Sequence, residues 1–209
     1  MKIYFDGTSW AAGQFLENPS ESRFSKIICD YFGAEEYNIS TIGGCNRAIV
    51  RNILNHNLDM YDIVVIQMVN HSRTEWYDEN QKKYRQVKPT IPSSFSKELK
   101  QYWTTYYEKI YHKEYGITDE KIYYNLLREL LRDKKHTIVT CARESFVPFD
   151  LDISLDLYDN KKRHAIHKQW GENPPYPRLK NYLTTGNHPN ELGHKVIAQM
   201  LINTLTKPK

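Results

Sequence analysis

The residue types that could do chemistry fall at four separated points in the chain. Ser9 stands in the segment Phe5-Asp6-Gly7-Thr8-Ser9-Trp10, directly after a short β-prone run. Gly43 and Gly44 lie in Ile42-Gly43-Gly44-Cys45-Asn46, Asn70 and His71 follow the apolar run Asp62–Met68, and His188 precedes Pro189 near the C-terminus. A serine at a strand-to-helix turn, glycine amides, a carboxamide and a histidine are the parts of an acyl-transfer site: nucleophile, oxyanion donors and general base. Taken singly, each has a plain alternative. Ser9 can cap a helix, the glycines can make a tight turn, and His188 can cap the helix that follows it.

These residues need elements that bring them to one place. Lys2–Phe5 reads as a first strand ending at Asp6-Gly7, and Tyr37–Ser40 as a second. Asp62–Met68 is a third, its continuous β-branched run pointing to a strand covered on both faces. Between them, Phe24, Ile27, Ile28 and Tyr31 share one helical face, with Ser20 as N-cap and Gly33 as stop. A second helical pattern follows Asn46. Further on, Thr118 can cap the helix 119–133, and His136–Cys141 reads as another buried strand. From Leu192 the apolar residues 192, 196, 197, 200 and 201 mark one face of a last helix. Pro189 suits its first position and leaves His188 in the preceding turn. Alternation of strands and helices predicts an α/β/α sandwich with a mostly parallel central sheet, whose strand C-terminal ends gather the chemistry. Residues 71–116, polar and aromatic, read as an insertion with some helix over 96–111, and 143–183 as a long loop. The 209 residues fit a single domain spanning 1–209.

Composition narrows the function classes. With 40% hydrophobic and 26% charged residues the chain is ordinary globular material. Its formal charge of +4 is spread along the sequence, which argues against a nucleic-acid face. Three widely spaced cysteines give neither a zinc pattern nor a disulfide framework. His188 and His194 are six apart on different helical faces, so no metal site is expected. Gly7-Thr8-Ser9 lacks the glycine-rich run with lysine that cradles phosphate. No segment approaches a signal peptide or a membrane span, and a cytoplasmic location is the expectation. The 16 tyrosines, dense between Tyr77 and Tyr124, suit a half-wet surface such as a sugar-binding cleft.

The segments FDGTSW, STIGGCN, VVIQMVNH and GNHPNELGH resemble, in order and spacing, the four blocks of the SGNH or GDSL hydrolases. The resemblance runs from residue 3 to about 201. It implies a flavodoxin-like three-layer fold and hydrolysis of ester-linked acyl groups, such as acetyl, on a carbohydrate or lipid, without a cofactor. Position by position it implies Ser9 as nucleophile, the backbone N–H groups of Ser9 and Gly43 with the Asn70 side chain as oxyanion hole, and His188 as general base. Three positions depart from the pattern: Thr8 replaces an aspartate, His71 stands where the asparagine is expected with Asn70 one residue early, and Thr185 replaces the aspartate three residues before the histidine. The implied machinery is thus a Ser9–His188 dyad, its imidazole oriented by a backbone carbonyl or the Thr185 hydroxyl. The alternative from another class is a non-catalytic module of the same fold that binds a glycan or a protein through its tyrosine-rich insertion.

Overall fold

The computed structural model describes residues 1–141, 147–152, 184 and 188–207. In chain order the elements are β1 (Lys2–Asp6), α1 (Pro19–Ser22), α2 (Phe24–Phe32), β2 (Glu35–Asn38), α3 (Asn46–Asn55) and β3 (Ile63–Met68). A hairpin follows, β4 (Thr74–Asp78) and β5 (Lys83–Val87), then α4 (Lys97–Thr105) running into a π-helical turn, Tyr106–Ile110. The chain continues through α5 (Lys113–Leu130), β6 (Lys135–Thr140), β7 (Leu151–Asp152) and α6 (Glu191–Thr206).

The central sheet has the order β2-β1-β3-β6-β7, and every pairing in it is parallel. Parallel neighbours need crossovers, and the helices supply them on both faces. Alternation along each strand divides the apolar side chains between two cores. Ile3, Phe5, Ile63, Val65 and Val139 face α2 and α6, where Phe24, Ile28, Ile197 and Leu201 meet them. Tyr4, Val64, Ile66, Met68 and Ile138 face α3 and α5, against Ile49, Ile53, Tyr124 and Leu127. Burial on both faces explains why β3 is an unbroken apolar run; each such side chain contributes about 2 kcal/mol of hydrophobic stabilisation. The three-layer sandwich with its parallel sheet is therefore the observed architecture.

Several local expectations change. Ser20 lies inside α1 and caps nothing; α2 starts afresh at Phe24, while Gly33, at φ 61°, does end it in the left-handed cap. The long helix begins at Lys113 under a His112 cap, and Thr118 sits within it, its hydroxyl donating back to the Glu114 carbonyl. Gly116 is accommodated inside that helix because a Cβ there would lie 2.2 Å from the Tyr111 hydroxyl and 2.4 Å from His71 Nδ1. Residues 71–116 carry the β4–β5 hairpin and a small core of their own, Val87, Phe95 and Trp103. Of the loop expected over 143–183, only 147–152 is described, and it includes β7; the rest lies outside the described residues.

Candidate active site

β1 ends at Asp6, and the chain turns at Gly7 because nothing larger fits: a Cβ there would stand 2.8 Å from Gln67 Cβ and 3.0 Å from Ala11 Cβ. The following residues wind into a turn, Ala12 N–H donating to the Thr8 carbonyl and Gln14 N–H to the Ser9 carbonyl, both at 2.9 Å. This turn is tied to the neighbouring strand through one side chain. Gln67 Oε1 accepts from Thr8 N–H at 3.2 Å and Ala11 N–H at 3.0 Å, while its Nε2 donates to Thr8 Oγ1 at 3.0 Å. Nε2 also reaches Cys141 Sγ at the end of β6, at 2.8 Å. The carboxamide is buried, so the bonds act in a low-dielectric setting.

Ser9, held on this turn, meets His188: Oγ and Nε2 are 2.9 Å apart. The two residues are 179 apart in sequence and are brought together by β1 and α6. Thr184 N–H donates to the His188 carbonyl at 2.7 Å, fixing the backbone that carries the ring. Asn190, not Pro189, starts the helix: its side chain accepts from Gly193 N–H at 2.9 Å and α6 begins at Glu191. Pro189 is the residue before that cap and is buried. Thr185 lies outside the described residues.

Phe15 closes the other flank of the imidazole. Its ring centroid is 4.9 Å from that of His188, the planes inclined at 74°. Its φ is 71°, the left-handed region, which costs a bulky L-residue on the order of 1–2 kcal/mol. The side chain is nonetheless 60% exposed.

The glycine turn lies against the same backbone. Thr41 N–H donates to the Gly7 carbonyl at 3.0 Å and Gly44 N–H to the Thr41 carbonyl at 2.9 Å. Gly43 has φ 79°, which favours glycine, and a Cβ on Gly44 would lie 2.9 Å from the Thr41 carbonyl oxygen and 3.3 Å from that of Gly7. Asn46, opening α3, clamps the end of β3 by accepting from Val69 N–H and donating to the Val69 carbonyl, both at 2.8 Å. Beyond that clamp the two candidates for the carboxamide role diverge. Asn70 is half-buried and its Oδ1 accepts from Ser72 N–H at 2.8 Å. His71 packs on Tyr111 instead, with Nδ1 2.6 Å from the Tyr111 hydroxyl and the two rings stacked. Burial pushes that Tyr111 phenol up to about 12.

Two buried titratable groups frame the site. Asp6, one residue before the turn, accepts from Gly7 N–H at 2.7 Å and Asn52 Nδ2 at 3.0 Å. Burial pushes its carboxyl up to about 7, against the opposing effect of those hydrogen bonds. His194 is wholly buried in α6; its Nδ1 accepts from Phe24 N–H at 3.1 Å, and burial, with the neighbouring His188 second, drives it down to about 3. It is a neutral structural histidine.

Ser9, Gly43, Asn70 and His188 thus all belong to loops at the C-terminal edge of the sheet, and Ser9 and His188 are in hydrogen-bonding contact. A cleft of about 980 Å³ sits at the opposite edge, between the start of β6 at Lys135 and the end of α6 at Thr206. It has no part in this arrangement. Sequence reasoning missed Gln67, Asn46 and Phe15. Gln67 had a signal, being the one polar side chain in an otherwise apolar strand; Phe15 had none, since a positive φ is ordinarily marked by glycine and a phenylalanine gives no sign of it.

No family model and no curated protein matches the sequence. Solved structures do. A G-D-S-L family protein from Desulfitobacterium hafniense DCB-2 superposes with a TM-score of 0.51 at 9% identity, over 97% of this chain and 98% of that one. A catalytic mutant of an acetylxylan esterase from Geobacillus stearothermophilus gives 0.50 at 13% identity, over 99% and 94%. The chain shares the fold of these proteins over essentially its whole length.

Proposed function

We propose that the protein is a serine ester hydrolase that removes small acyl groups, acetyl among them, from a carbohydrate or lipid. The observation that carries the reading is the 2.9 Å contact between Ser9 Oγ and His188 Nε2 at the C-terminal edge of the sheet. Its distance lies within the reach required of a nucleophile and its base. The shared fold with an acetylxylan esterase supports the same class.

In this reading Ser9 Oγ attacks the acyl carbonyl while His188 Nε2 takes its proton. The oxyanion is met by the backbone N–H groups of Ser9 and Gly43 and by Asn70 Nδ2, whose carboxamide is oriented through its bond to Ser72. His188 then protonates the departing alcohol oxygen, leaving acyl-Ser9, and a water activated by the same ring releases the acid and restores the serine. Gln67 keeps the nucleophile turn in place, and the Thr184 bond fixes the backbone that carries the imidazole.

Hydrolysis of p-nitrophenyl acetate by the wild type, Ser9→Ala, His188→Ala and the double variant tests this. Each single variant is expected to lose at least about 100-fold in kcat, and the double little more, because the residues act as a unit. Wild-type turnover in Ser9→Ala would refute the assignment and favour a glycan- or protein-binding role for the same fold.

A further inference from the structure

Phe15 combines three features that packing alone does not explain. Its backbone is held at φ 71°, its ring is 60% exposed, and that ring lies 4.9 Å from the His188 ring. A strained conformation that presents an apolar side chain to solvent persists only where the surroundings enforce it. Here they do: Gln14 N–H is bonded to the Ser9 carbonyl at 2.9 Å and Leu16 N–H to the Gly13 carbonyl at 3.2 Å, so the segment bearing Phe15 is locked to the nucleophile turn itself.

The chemistry assigns this wall a side, on the reading that Ser9 and His188 are nucleophile and base. His188 Nε2 must hand its proton to the leaving alcohol oxygen, so the alcohol lies alongside the imidazole. The acyl oxygen points instead to the Gly43 turn, which packs on Gly7. A residue that flanks His188 therefore borders the alcohol and not the acyl chain. An exposed phenyl ring suits an alcohol that is flat and apolar on one side and polar at its rim; a pyranose ring has that form, with C–H groups against the phenyl and hydroxyls toward water. An open-chain alcohol such as glycerol has no such face.

We infer that Phe15 is a specificity-determining residue that receives the sugar ring of the leaving alcohol, making the substrate an acylated carbohydrate. The test compares an O-acetylated methyl xylopyranoside with ethyl acetate, whose alcohol has no ring, using the wild type, Ser9→Ala, Phe15→Asn and Phe15→Tyr. Asparagine tolerates the left-handed backbone, so Phe15→Asn removes the ring without adding strain. Expected are a wild type that favours the sugar ester and a sugar-to-ethyl preference in kcat/KM that falls about tenfold in Phe15→Asn, mainly through the sugar KM. Phe15→Tyr should keep that preference within about twofold, and the melting temperature of Phe15→Asn should hold or rise by about 2–4 °C.

Equal losses on both esters in Phe15→Asn, an unchanged preference, a wild type that cleaves ethyl acetate but not the sugar ester, or a drop in melting temperature would each overturn the inference while leaving the hydrolase reading standing. A wild type that cleaves neither ester, or hydrolysis of both that survives Ser9→Ala, would overturn the hydrolase reading and this inference with it.

Discussion

Gln67→Leu tests whether one buried carboxamide holds the nucleophile turn in place. Leucine is close to glutamine in size, so no cavity opens; what is lost is hydrogen bonding. Thr8 N–H and Ala11 N–H, at 3.2 and 3.0 Å from Gln67 Oε1, would face hydrocarbon, and both residues are only 1% exposed. An orphaned buried donor costs about 1–3 kcal/mol, so two cost about 2–6 kcal/mol before relaxation. Partial relaxation of the turn sets the expectation at about 3 kcal/mol, a fall of roughly 6–12 °C in melting temperature for a chain of this length. Trp10 lies in the same turn and is nearly buried, so urea unfolding followed by tryptophan fluorescence reads the change directly. Kinetics add a second measure. A turn that shifts by about 1 Å misplaces Ser9 Oγ and costs on the order of 100-fold in kcat with little change in KM. Gln67→Glu keeps both acceptor contacts and loses the donations of Nε2 to Thr8 Oγ1, Cys141 Sγ and the Met68 carbonyl, and it should recover part of the kcat as pH falls and its carboxyl regains a proton. A Gln67→Leu protein that loses less than about 1 kcal/mol and keeps wild-type kcat would refute the reasoning.

Two further predictions concern pH, and their signs oppose. Asp6 titrates near 7 in the folded protein against 3.8 ordinarily, so its stabilising contribution is complete below about pH 4 and is lost as pH rises toward 7, by about 4 kcal/mol in all. Asp6→Asn, which can still accept from Gly7 N–H, should abolish that decline; urea midpoints at pH 4.5 and 7 that change in parallel with wild type would count against it. His194 titrates near 3 against 6.5, so the unfolded chain takes up a proton that the folded one refuses, and stability is lost as pH falls from 6.5, by about 3 kcal/mol at pH 4.5. His194→Asn places an oxygen acceptor toward Phe24 N–H and should remove that limb, seen as a urea midpoint that rises from pH 6.5 to 4.5 where that of the wild type stays nearly level. In the wild type the two slopes offset between pH 4 and 6.5, so each variant should expose the other's.

How much was legible in the sequence follows from which interactions are local. The Ile63–Met68 strand was readable because burial on both faces selects β-branched residues along the chain itself. The last helix was readable because one-sided packing imposes a 3.6-residue repeat, and Ile197 and Leu201 do face the core. The hairpin Thr74–Asp78 with Lys83–Val87 was not, because its polarity is inverted: Glu75 and Asp78 are buried while Tyr77 is exposed. Glu75 can be buried because Arg51 of α3 pairs with it at 3.0 Å and Gln86 Nε2 donates to it at 3.2 Å, and no hydrophobic alternation marks a strand whose buried residues include two carboxylates. Of the helix Lys113–Leu130, only the stretch before Asp119 was hidden, by Gly116, whose place depends on the His71–Tyr111 pair lying against it.

The candidate site divides along the same line. Residue types and order in four short segments set the expectation that Ser9, Gly43, Asn70 and His188 gather at one edge, because a parallel sheet with helical crossovers delivers each strand's C-terminal end there. Tertiary structure alone decided how they meet: that His188 Nε2 stands 2.9 Å from Ser9 Oγ, that Gln67 steadies the turn across 59 residues, and that Asn70 stays at the strand end while His71 leaves for Tyr111. The reason is physical. A strand or helix is specified by its neighbours in sequence, whereas a hydrogen bond between side chains far apart in the chain is specified by packing, and packing exists only once the whole core has formed.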